Sequence, residues 1–478
     1  MSEASLPSSW SSIITSDGFE QISTTKKKVK TKECLATGLY PVIDQGQDKV
    51  AGYIDDHEKV IEITDPVLIF GDHTRAIKWI DKDFVPGADG TKVLKPKGFL
   101  RPRFSYYQMR ALELPDKGYS RHFKFLKEIE FSIPPLNEQT RITNKLDELL
   151  AQVDTIKARV DAIPAILKRF RQSVLAAAVS GKLTEEWRVT NVDGVDVEEI
   201  SIAHESFFKQ KNKKYKQPEK ITDATKEKLF AIPSNWTWFR AEELCDLITK
   251  GTTPKKDKMS TAGEIPYIKV YNLTFDGGLD FTIEPTFVDK SVHQNELARS
   301  KVYPGDVLMN IVGPPLGKVS VVPPTYPEWN INQAISIFRP VCGVRSVYLS
   351  ICLQNSTLLE IVKLKAKATA GQFNLTLEIC RDYPVPVPPD SEQNQIVQKV
   401  DQLFEFADQI EQRVKEAQAR IDNLSQSFLA KAFRGELVPQ DPNDEPASVL
   451  LERIKQEREE AAKLAKAAKK VGKKASKK

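Results

Sequence analysis

The sequence predicts an α+β chain in which two globular segments, rich in strand and turn signals, are each followed by a long coiled-coil helix. Residues 134–183 align without a gap on residues 388–437, and twenty of these fifty pairs are identical, whereas unrelated sequences match at roughly one position in sixteen. Each copy carries an unbroken apolar rhythm of helical spacing. Residues 1–133 and 230–387 instead hold short apolar runs separated by Gly, Pro, Asn and Asp, which is typical of strands and turns. The duplication therefore predicts a pseudo-two-fold internal repeat.

The two globular segments begin alike and then diverge. Leu6–Trp10 opens the first as LPSSW, and Ile232–Trp236 opens the second as IPSNW. A chain of 478 residues is too long for one ordinary domain, so two or three separate cores are expected. Because the two helices are matched and the two heads are dissimilar, we expect the helices to form a common frame that supports two different reading surfaces.

The two long helices are predicted by their apolar positions, which step by four and three residues without a fault. An N-cap is expected at Asn137 and at Ser391, after a proline pair, and Gly181 and Gly435 are expected to end the helices. Pro164 is expected to kink or break the first helix locally. Ten consecutive positions of this kind in each copy indicate a coiled-coil seam. In order they are Ile142, Leu146, Leu149, Val153, Ile156, Val160, Ile163, Leu167, Phe170 and Val174, then Ile396, Val400, Leu403, Ala407, Ile410, Val414, Ala417, Ile421, Leu424 and Phe428.

The remaining segments are a connector and a C-terminal region. Residues 184–229 are charged and poor in apolar residues, with room for a short helix. Residues 438–478 hold a proline-containing turn, an amphipathic helix that begins near Ala447, and a lysine run expected to be solvated. The predicted order is a head at 1–133, a helix at 134–183, the connector, a head at 230–387, a helix at 388–437 and the C-terminal region.

Charge and cysteine usage exclude some classes of protein. The net charge of +5 has a local origin, because Lys463–Lys478 contains eight lysines and no acid, which leaves −3 on the other 462 residues. Any DNA contact must therefore come from clustered basic residues. The five cysteines are scattered and never spaced C-x-x-C, so reduced thiols are expected, without a metal site. The N-terminus has no basic region followed by an apolar run, which argues against export, and no apolar run is long enough to span a membrane, so the cytoplasm is the expected location.

The chain resembles the specificity subunits of type I restriction and modification systems over nearly its whole length. The resemblance is carried by the Pro-x-x-Trp opening of each half, PPLNEQ at 134–139 with its copy PPDSEQ, SVLAAAVSGKLTEEWR at the first helix end, SFLAKAFRGELVPQDPNDEPAS at the second, and FVPGADGTKVLKP in the first head. It implies two α/β target recognition domains separated by two antiparallel coiled-coil helices, each domain reading half of a bipartite double-stranded DNA site.

The resemblance also implies partners and a role for the helices. Two modification subunits with adenine methyltransferase activity would bind the frame, and restriction subunits with translocase and nuclease activity would join them. Helix length would set the unread gap between the half-sites. S-adenosylmethionine, ATP and Mg²⁺ are then expected in the partner subunits, and no cofactor or metal in this chain.

The sequence shows no recognisable catalytic motif. The Asn/Asp-Pro-Pro-Tyr/Phe loop with which adenine methyltransferases hold a flipped base is absent from the sequence. Gly313–Val319 superficially resembles a phosphate loop, but it is one residue short between its glycines and lacks Ser or Thr after the lysine. A turn beside a DNA-facing strand is the favoured interpretation. The alternatives left open are a coiled-coil scaffold with two protein-binding heads and a self-contained restriction or methylation enzyme.

Side-chain chemistry indicates candidate DNA-reading residues, because Arg and Lys match guanine whereas Asn and Gln match adenine. In each head they follow apolar runs, at predicted strand ends and turns. Taken singly, each of these residues is more often a solvated or turn-forming group than a DNA contact. The candidates are His73, Thr74, Arg75, Lys78, Gly90, Thr91 and Lys92 in the first head, and Lys250, Thr252, Thr253, Lys269, Asn310, Asn332, Gln333 and Gln372 in the second.

Overall fold

The computed structural model describes residues 6–88, 90–115, 120–313, 315–370, 374–457 and 459–460, and for residues 367–370 it describes the backbone alone. The chain forms two compact units: unit 1 comprises residues 1–161 with 415–478, and unit 2 comprises residues 162–414. Each unit therefore contains one predicted head together with part of each long helix.

The head of unit 1 consists of short strands and helices. Its strands are β1 (Ser11–Ile14), β2 (Phe19–Ile22), β3 (Tyr40–Ile43), β4 (Gly52–Ile54), β5 (Val67–Gly71), β6 (Ile77–Ile80), β7 (Val85–Pro86), β8 (Thr91–Pro96) and β9 (Glu130–Ile133). Its helices are α1 (Thr15–Gly18), α2 (Pro102–Ala111) and α3 (Phe123–Glu128), and the long helix α4 (Leu136–Val179) follows.

These strands form one sheet in the order β2-β8-β5-β6, a second in the order β4-β3-β7, and the pair β1-β9. All five residues of β5, the apolar run VLIFG, are buried, because the strand lies inside its sheet between β8 and β6. In the main core of unit 1, Phe70 of this strand and Phe104 of α2 pack with Ile142 of α4 and Leu429 of the second long helix.

Unit 2 continues from α4 through the connector into the second head. Its helices are α5 (Glu185–Arg188), α6 (Val197–Gln210), α7 (Asp223–Lys226), α8 (Ala241–Leu244), α9 (Lys290–Gln294), α10 (Ser346–Gln354), α11 (Ser356–Ala370), α12 (Leu377–Arg381) and the long helix α13 (Asp390–Phe433). Its strands are β10 (Thr237–Arg240), β11 (Cys245–Lys250), β12 (Met259–Ser260), β13 (Ile265–Ile268), β14 (Phe287–Val288), β15 (Lys301–Val302), β16 (Val307–Asn310), β17 (Val319–Val321), β18 (Trp329–Ile331), β19 (Ile335–Pro340) and β20 (Pro384–Val387).

The strands of unit 2 form sheets in the orders β11-β19-β16-β17 and β12-β14-β13-β18-β15, with the separate pair β10-β20. That pair matches β1-β9 of unit 1, since in each head the strand after the Pro-x-x-Trp opening is antiparallel to the strand before the proline pair. The main core of unit 2 joins Phe239 and Tyr348 of the head to Val174 of α4 and Val400 of α13.

The predicted long helices are confirmed, and each starts two residues earlier than the expected N-caps imply. Both contain 44 residues. The N-cap predictions at Asn137 and Ser391 are wrong, because both residues lie inside their helices. The carbonyl oxygens of Pro135 and Pro389 already accept the first helical hydrogen bonds, and a proline fits this place because its φ is fixed and it has no N–H to satisfy.

Other features of the long helices follow the prediction. Helix α4 runs through Pro164 without interruption, so the local break that was one of the two expected effects of this proline does not occur. The glycines Gly181 and Gly435 adopt φ of 78° and 76° just after the helices end, as left-handed C-terminal glycines do. A helix also begins at Ala447, where one was expected.

Within each unit the two long helices pair through side chains. In unit 1, Lys157 Nζ lies 2.6 Å from Asp422 Oδ1, and Gln418 donates to Asp161 Oδ1 at 2.7 Å. In unit 2, the guanidinium of Arg171 contacts the carboxylates of Asp408 and Glu411. In unit 1 the later residue of α4 meets the earlier residue of α13. In unit 2 the carbonyl of Leu183, just beyond α4, accepts from Lys399, which precedes Asp408, so the two segments of each unit pack antiparallel.

The seam positions agree with this pairing, although two are open to solvent. Val153 and Ile421 in unit 1, and Leu167 and Val414 in unit 2, are buried. The exceptions are Ile156 and Leu424, which are 47% and 41% exposed. The seven-residue rhythm therefore predicts the buried face of both helices with few errors.

Candidate nucleic-acid interface

The first-head candidates lie around the hairpin that joins β5 to β6. The amide of Gly71 donates to the carbonyl of Ala76 at 2.8 Å, and the amide of Arg75 donates to the carbonyl of Gly71 at 2.8 Å. Arg75 is half-buried and has a φ of 60°, a left-handed conformation that is uncommon outside glycine. The polar loop predicted after the strand therefore exists, and its arginine is held in a defined place.

Gln45 joins this loop to the glycine turn before β8. Its side-chain oxygen accepts from the amide of His73 at 3.1 Å, and its carbonyl accepts from the hydroxyl of Thr74. A Cβ on Gly90, whose φ is 76°, would lie 2.4 Å from the same side-chain oxygen. The structure thus brings His73, Thr74 and Gly90 together around Gln45, a residue that the sequence prediction missed because it is separated from the loop by some thirty positions.

The other candidates of the first head point partly inward. The ammonium of Lys78 donates to the carbonyl of Asp48 at 2.6 Å and lies 3.4 Å from Asp44 Oδ1. Burial lowers the pKa of Lys78, although Asp44 opposes this shift. Lys92 is more open, with its ammonium 3.7 Å from Asp72 Oδ2 and 5.4 Å from the centre of the Phe123 ring.

Thr91 is almost completely buried. Its hydroxyl has no hydrogen-bond partner among the described residues.

In the second head most candidates meet where β11 and β18 end and β19 begins. Gly251 packs so closely on the Asn332 carbonyl that a Cβ would lie 2.2 Å from it. The amide of Gln333 approaches Thr253 Oγ1 at 3.4 Å. The hydroxyl of Thr252 accepts from Arg299 Nε at 3.3 Å and from Nη2 at 3.1 Å.

We call the group Lys250–Thr253, Arg299 and Asn332–Gln333 the strand-end cluster. Lys250, Thr253 and Gln333 are exposed within it, so it offers an ammonium, a hydroxyl and an amide to solvent. Arg299 was missed by the prediction, since it reaches Thr252 from 47 positions further along the chain.

Lys269 and Asn310 take different roles beside this cluster. Lys269 follows Ile268, whose carbonyl accepts from the amide of Asn332 at 3.0 Å. Asn310 is 1% exposed; its Nδ2 donates to the Pro315 carbonyl at 2.9 Å and its Oδ1 accepts from the Lys318 amide at 2.8 Å. Its side chain therefore holds the glycine turn before β17. Gln372 lies outside the described residues.

The candidate surfaces of both heads consist of groups that suit polar recognition of a ligand. Among the described residues, no group of three or more His, Cys, Asp or Glu could hold a metal ion. All five cysteines lie in the described part of the chain, and each is a free thiol. No helix that the structure describes combines the length and apolar character needed to cross a bilayer. The two heads offer hydrogen-bond donors, acceptors and cationic groups, which are the groups that contact base edges and phosphates.

Comparisons with known proteins agree with the duplicated architecture. The model of the type I restriction modification DNA specificity domain matches twice, at residues 7–165 and 233–418. The EcoDI specificity subunit of Escherichia coli is 30% identical over 411 residues, which are 83% of this chain and 85% of that protein. The EcoBI specificity subunit of Escherichia coli is 34% identical over 347 residues, which are 70% of this chain and 65% of that protein.

A solved structure is similar in fold. It is a chain from a study of complex assembly and conformational transition in a type I R-M system, with a TM-score of 0.58 and 18% identity. The superposition covers 91% of this chain and 100% of that one. Mixed helix and sheet in two repeats, each with a long helix, is therefore an established fold for this sequence.

Proposed function

This chain belongs to the family of type I restriction-modification DNA specificity subunits, and we propose from that membership that it selects a two-part site on double-stranded DNA for partner subunits. Each head reads one half of the site. The observation that carries the proposal is that the family model matches both heads, while the polar clusters of the two heads are built from different residues. Two unlike surfaces in one chain suit a bipartite and asymmetric target.

In the first head the reading surface is the loop around Arg75, with His73 and Thr74 beside it. Gln45 and Gly90 hold the loop, and Lys92 lies at its edge. In the second head the reading surface is the strand-end cluster, in which Asn332 and Gln333 suit adenine and Lys250 suits guanine or phosphate. Phosphate contacts would fix the register of each head, and the amides and Arg75 would discriminate between bases.

The chemical steps belong to partner subunits in this proposal. Two modification subunits dock on the paired helices and supply S-adenosylmethionine chemistry, while restriction subunits supply ATP- and Mg²⁺-dependent steps. This chain has no catalytic role, and it works in the cytoplasm, where its DNA lies. The scaffold alternative with protein-binding heads is not favoured, because the matched family is one of DNA specificity domains.

The long helices set the number of unread base pairs between the half-sites. Support comes from their equal lengths of 44 residues, since a stiff helix gains about 1.5 Å per residue. Inserting seven residues in both helices, between Asp161 and Ala162 and between Val414 and Lys415, preserves the heptad rhythm. A changed gap in the methylated motif supports this role, and an unchanged gap contradicts it.

The function is tested by mapping methylated adenines across the genome of a host that carries the complete system. A bipartite motif is expected. Residues 1–133 are then exchanged for the corresponding head of a relative, and the map is repeated. Only one half of the motif should change; if both halves change, or neither does, the assignment of one half-site to each head is wrong.

A further inference from the structure

An aromatic side chain projects from the second head at the tip of a short loop. Phe275 lies between Leu273 and Leu279, which pair as an isolated β-bridge, and it is 51% exposed. Single exposed apolar residues are common on protein surfaces, so exposure alone assigns no role. The loop and its neighbours supply the further observations.

The loop is tightly held by its own hydrogen bonds. The amide of Thr274 donates to the Gly278 carbonyl at 3.1 Å, and its hydroxyl, which has a single proton, lies closer to the Asp276 carboxylate than to that carbonyl. Below the loop, the fully buried hydroxyl of Ser320 donates to that carbonyl as well. Gly277, with a φ of 93°, lies so close to Gln354 that a Cβ would be 2.9 Å from Nε2. Phe275 is thus presented on a preformed support.

A lysine accompanies the ring. The ammonium of Lys318 lies 5.6 Å from the centre of the Phe275 ring and 3.4 Å from the carbonyl of Val270, which it contacts as a donor. Within the described part of the chain, the contacts of the Lys318 ammonium are with this ring and this carbonyl, and no ion pair with a carboxylate is found. Asn310 fixes the backbone of this lysine through the bond to its amide. The ring and the ammonium therefore stand side by side on rigid backbone.

This pair borders the strand-end cluster. Lys318 contacts the Val270 carbonyl, and Lys269 is the preceding residue; the Ile268 carbonyl, one residue further back, accepts from the Asn332 amide. A short stretch of backbone thus joins Phe275 and Lys318 to Asn332 and Gln333. The backbone of residues 268–270 therefore contacts both the Lys318 ammonium and the Asn332 amide.

We propose that Phe275 is an apolar wedge that stacks on a base at an opened step of the DNA half-site, while Lys318 binds the adjacent phosphate. The proposal rests on the proposed function and adds a contact that works through DNA deformation. Aromatic side chains stack on any base, and apolar wedges inserted at base steps unstack and kink the duplex. DNA is favoured over a protein partner because a phosphate supplies the counter-charge that Lys318 lacks within the described residues, next to amides suited to base edges.

The test uses the assembled methyltransferase and duplexes that carry the mapped motif. 2-Aminopurine replaces one base at a time along both half-sites, at positions other than the methylated adenines. Wild-type complex is expected to raise the fluorescence at one step in the half-site of the second head. Phe275→Ala should abolish that rise and weaken binding roughly five- to hundredfold, whereas Phe275→Trp should retain both.

Two further variants separate the contributions. Lys318→Met should reduce the slope of log affinity against log salt by about 0.9, and Phe275→Ala should leave that slope unchanged. Ile202→Ala is the matched control, since Ile202 is 58% exposed on α6, a helix that contacts β11 at Cys245, the strand end remote from Lys250.

Wild-type affinity and fluorescence in Phe275→Ala would overturn the wedge while leaving the proposed function intact. Equal losses in Ile202→Ala would overturn it too, because the effect would then not be local. Absence of specific binding by the wild-type complex would instead remove the proposed function itself.

Discussion

The indole Nε1 of Trp236 donates a hydrogen bond of 2.8 Å to Oε2 of Glu392, a carboxylate that is fully buried. Unit 1 repeats the relationship, with Trp10 donating to Glu138 at 3.1 Å. In each unit the tryptophan that opens the head is thereby fastened to the first turn of a long helix. The duplicated Pro-x-x-Trp and Glu-Gln motifs therefore supply the donor and the acceptor of the same hydrogen bond in each unit, and we call this contact the tryptophan-to-glutamate joint.

Replacing Glu392 with alanine should strongly destabilise unit 2. Arg188 Nη1, 2.6 Å from the carboxylate, would remain largely buried without its counter-charge. Breaking a buried ion pair in this way costs about 3–5 kcal/mol, measurable by urea unfolding followed by tryptophan fluorescence. Asp390→Ala is the control, because the Arg345–Asp390 pair is exposed and an exposed pair is worth at most about 1 kcal/mol. Equal losses in both variants would contradict the joint.

Gly435→Ala should destabilise unit 1. The glycine has a φ of 76°, and a Cβ would lie 2.4 Å from Pro7 Cγ, so the substitution adds a clash to a left-handed penalty of about 1–2 kcal/mol. Gly98→Ala is a matched control, since a Cβ there meets nothing within 4 Å. Thermal unfolding should show a clear drop for the first variant and little change for the second. A drop of equal size at Gly98 would mean that the clash with Pro7 is not the cause.

The internal repeat made most features of the two long helices predictable from the sequence. Helix length, seam positions and the terminal glycines follow from local periodicity and backbone preference, and these act over a few residues. The helix starts were misplaced because a proline pair can itself occupy the cap, so that Asn137 and Ser391 became helical. The tryptophan-to-glutamate joint was missed because its partners are separated by 128 and 156 positions.

The candidate reading surfaces were less predictable, because they too depend on contacts between residues far apart in the sequence. Residue chemistry and turn signals led to Arg75 and to Lys250–Thr253, but not to Gln45 or Arg299, which reach their loops from distant segments. Asn310 has the side chain expected of an adenine reader, yet it is buried against its own turn. Sequence indicates which groups could contact DNA, and only tertiary packing decides which of them remain available.

Acid should destabilise unit 2 through His293. This side chain is fully buried, and burial lowers its pKa below the ordinary 6.5, an effect that the bond to Glu328 opposes and the charge of Lys301 reinforces. As the pH falls through about 6.5, the unfolded chain binds a proton at His293 and the folded protein does not. The contribution of this residue to the free energy of unfolding is therefore fully present above that pH and declines as the pH falls below it. His293→Gln should flatten this part of a stability–pH profile, whereas His57→Gln, at an exposed position, should not. An unchanged slope in His293→Gln would refute the assignment.

Arg75→Ala should weaken binding of the assembled methyltransferase to its site and relax the base preference in the half read by the first head. A good arginine–guanine contact is worth about 1–3 kcal/mol. Titration of duplexes with single substitutions in each half-site measures both effects. Lys82→Ala, an exposed lysine of the same head, is the control. Unchanged affinity and preference in Arg75→Ala would remove this residue from the reading surface.

Asn310→Ala distinguishes a reading residue from a supporting one. Its amide nitrogen donates to the Pro315 carbonyl and its oxygen accepts from the Lys318 amide, both within a buried setting, so truncation should lower the stability of unit 2 by about 1–3 kcal/mol. DNA affinity should then fall evenly across all sequences, because the turn that positions Lys318 loosens while no base contact is lost. Gln333→Ala, at an exposed position of the strand-end cluster, should do the opposite: stability is kept, and discrimination falls at a single base pair. If Asn310→Ala instead altered the preference at one base pair and left unfolding unchanged, the asparagine would be a base contact after all, and the turn before β17 would have to open when DNA binds.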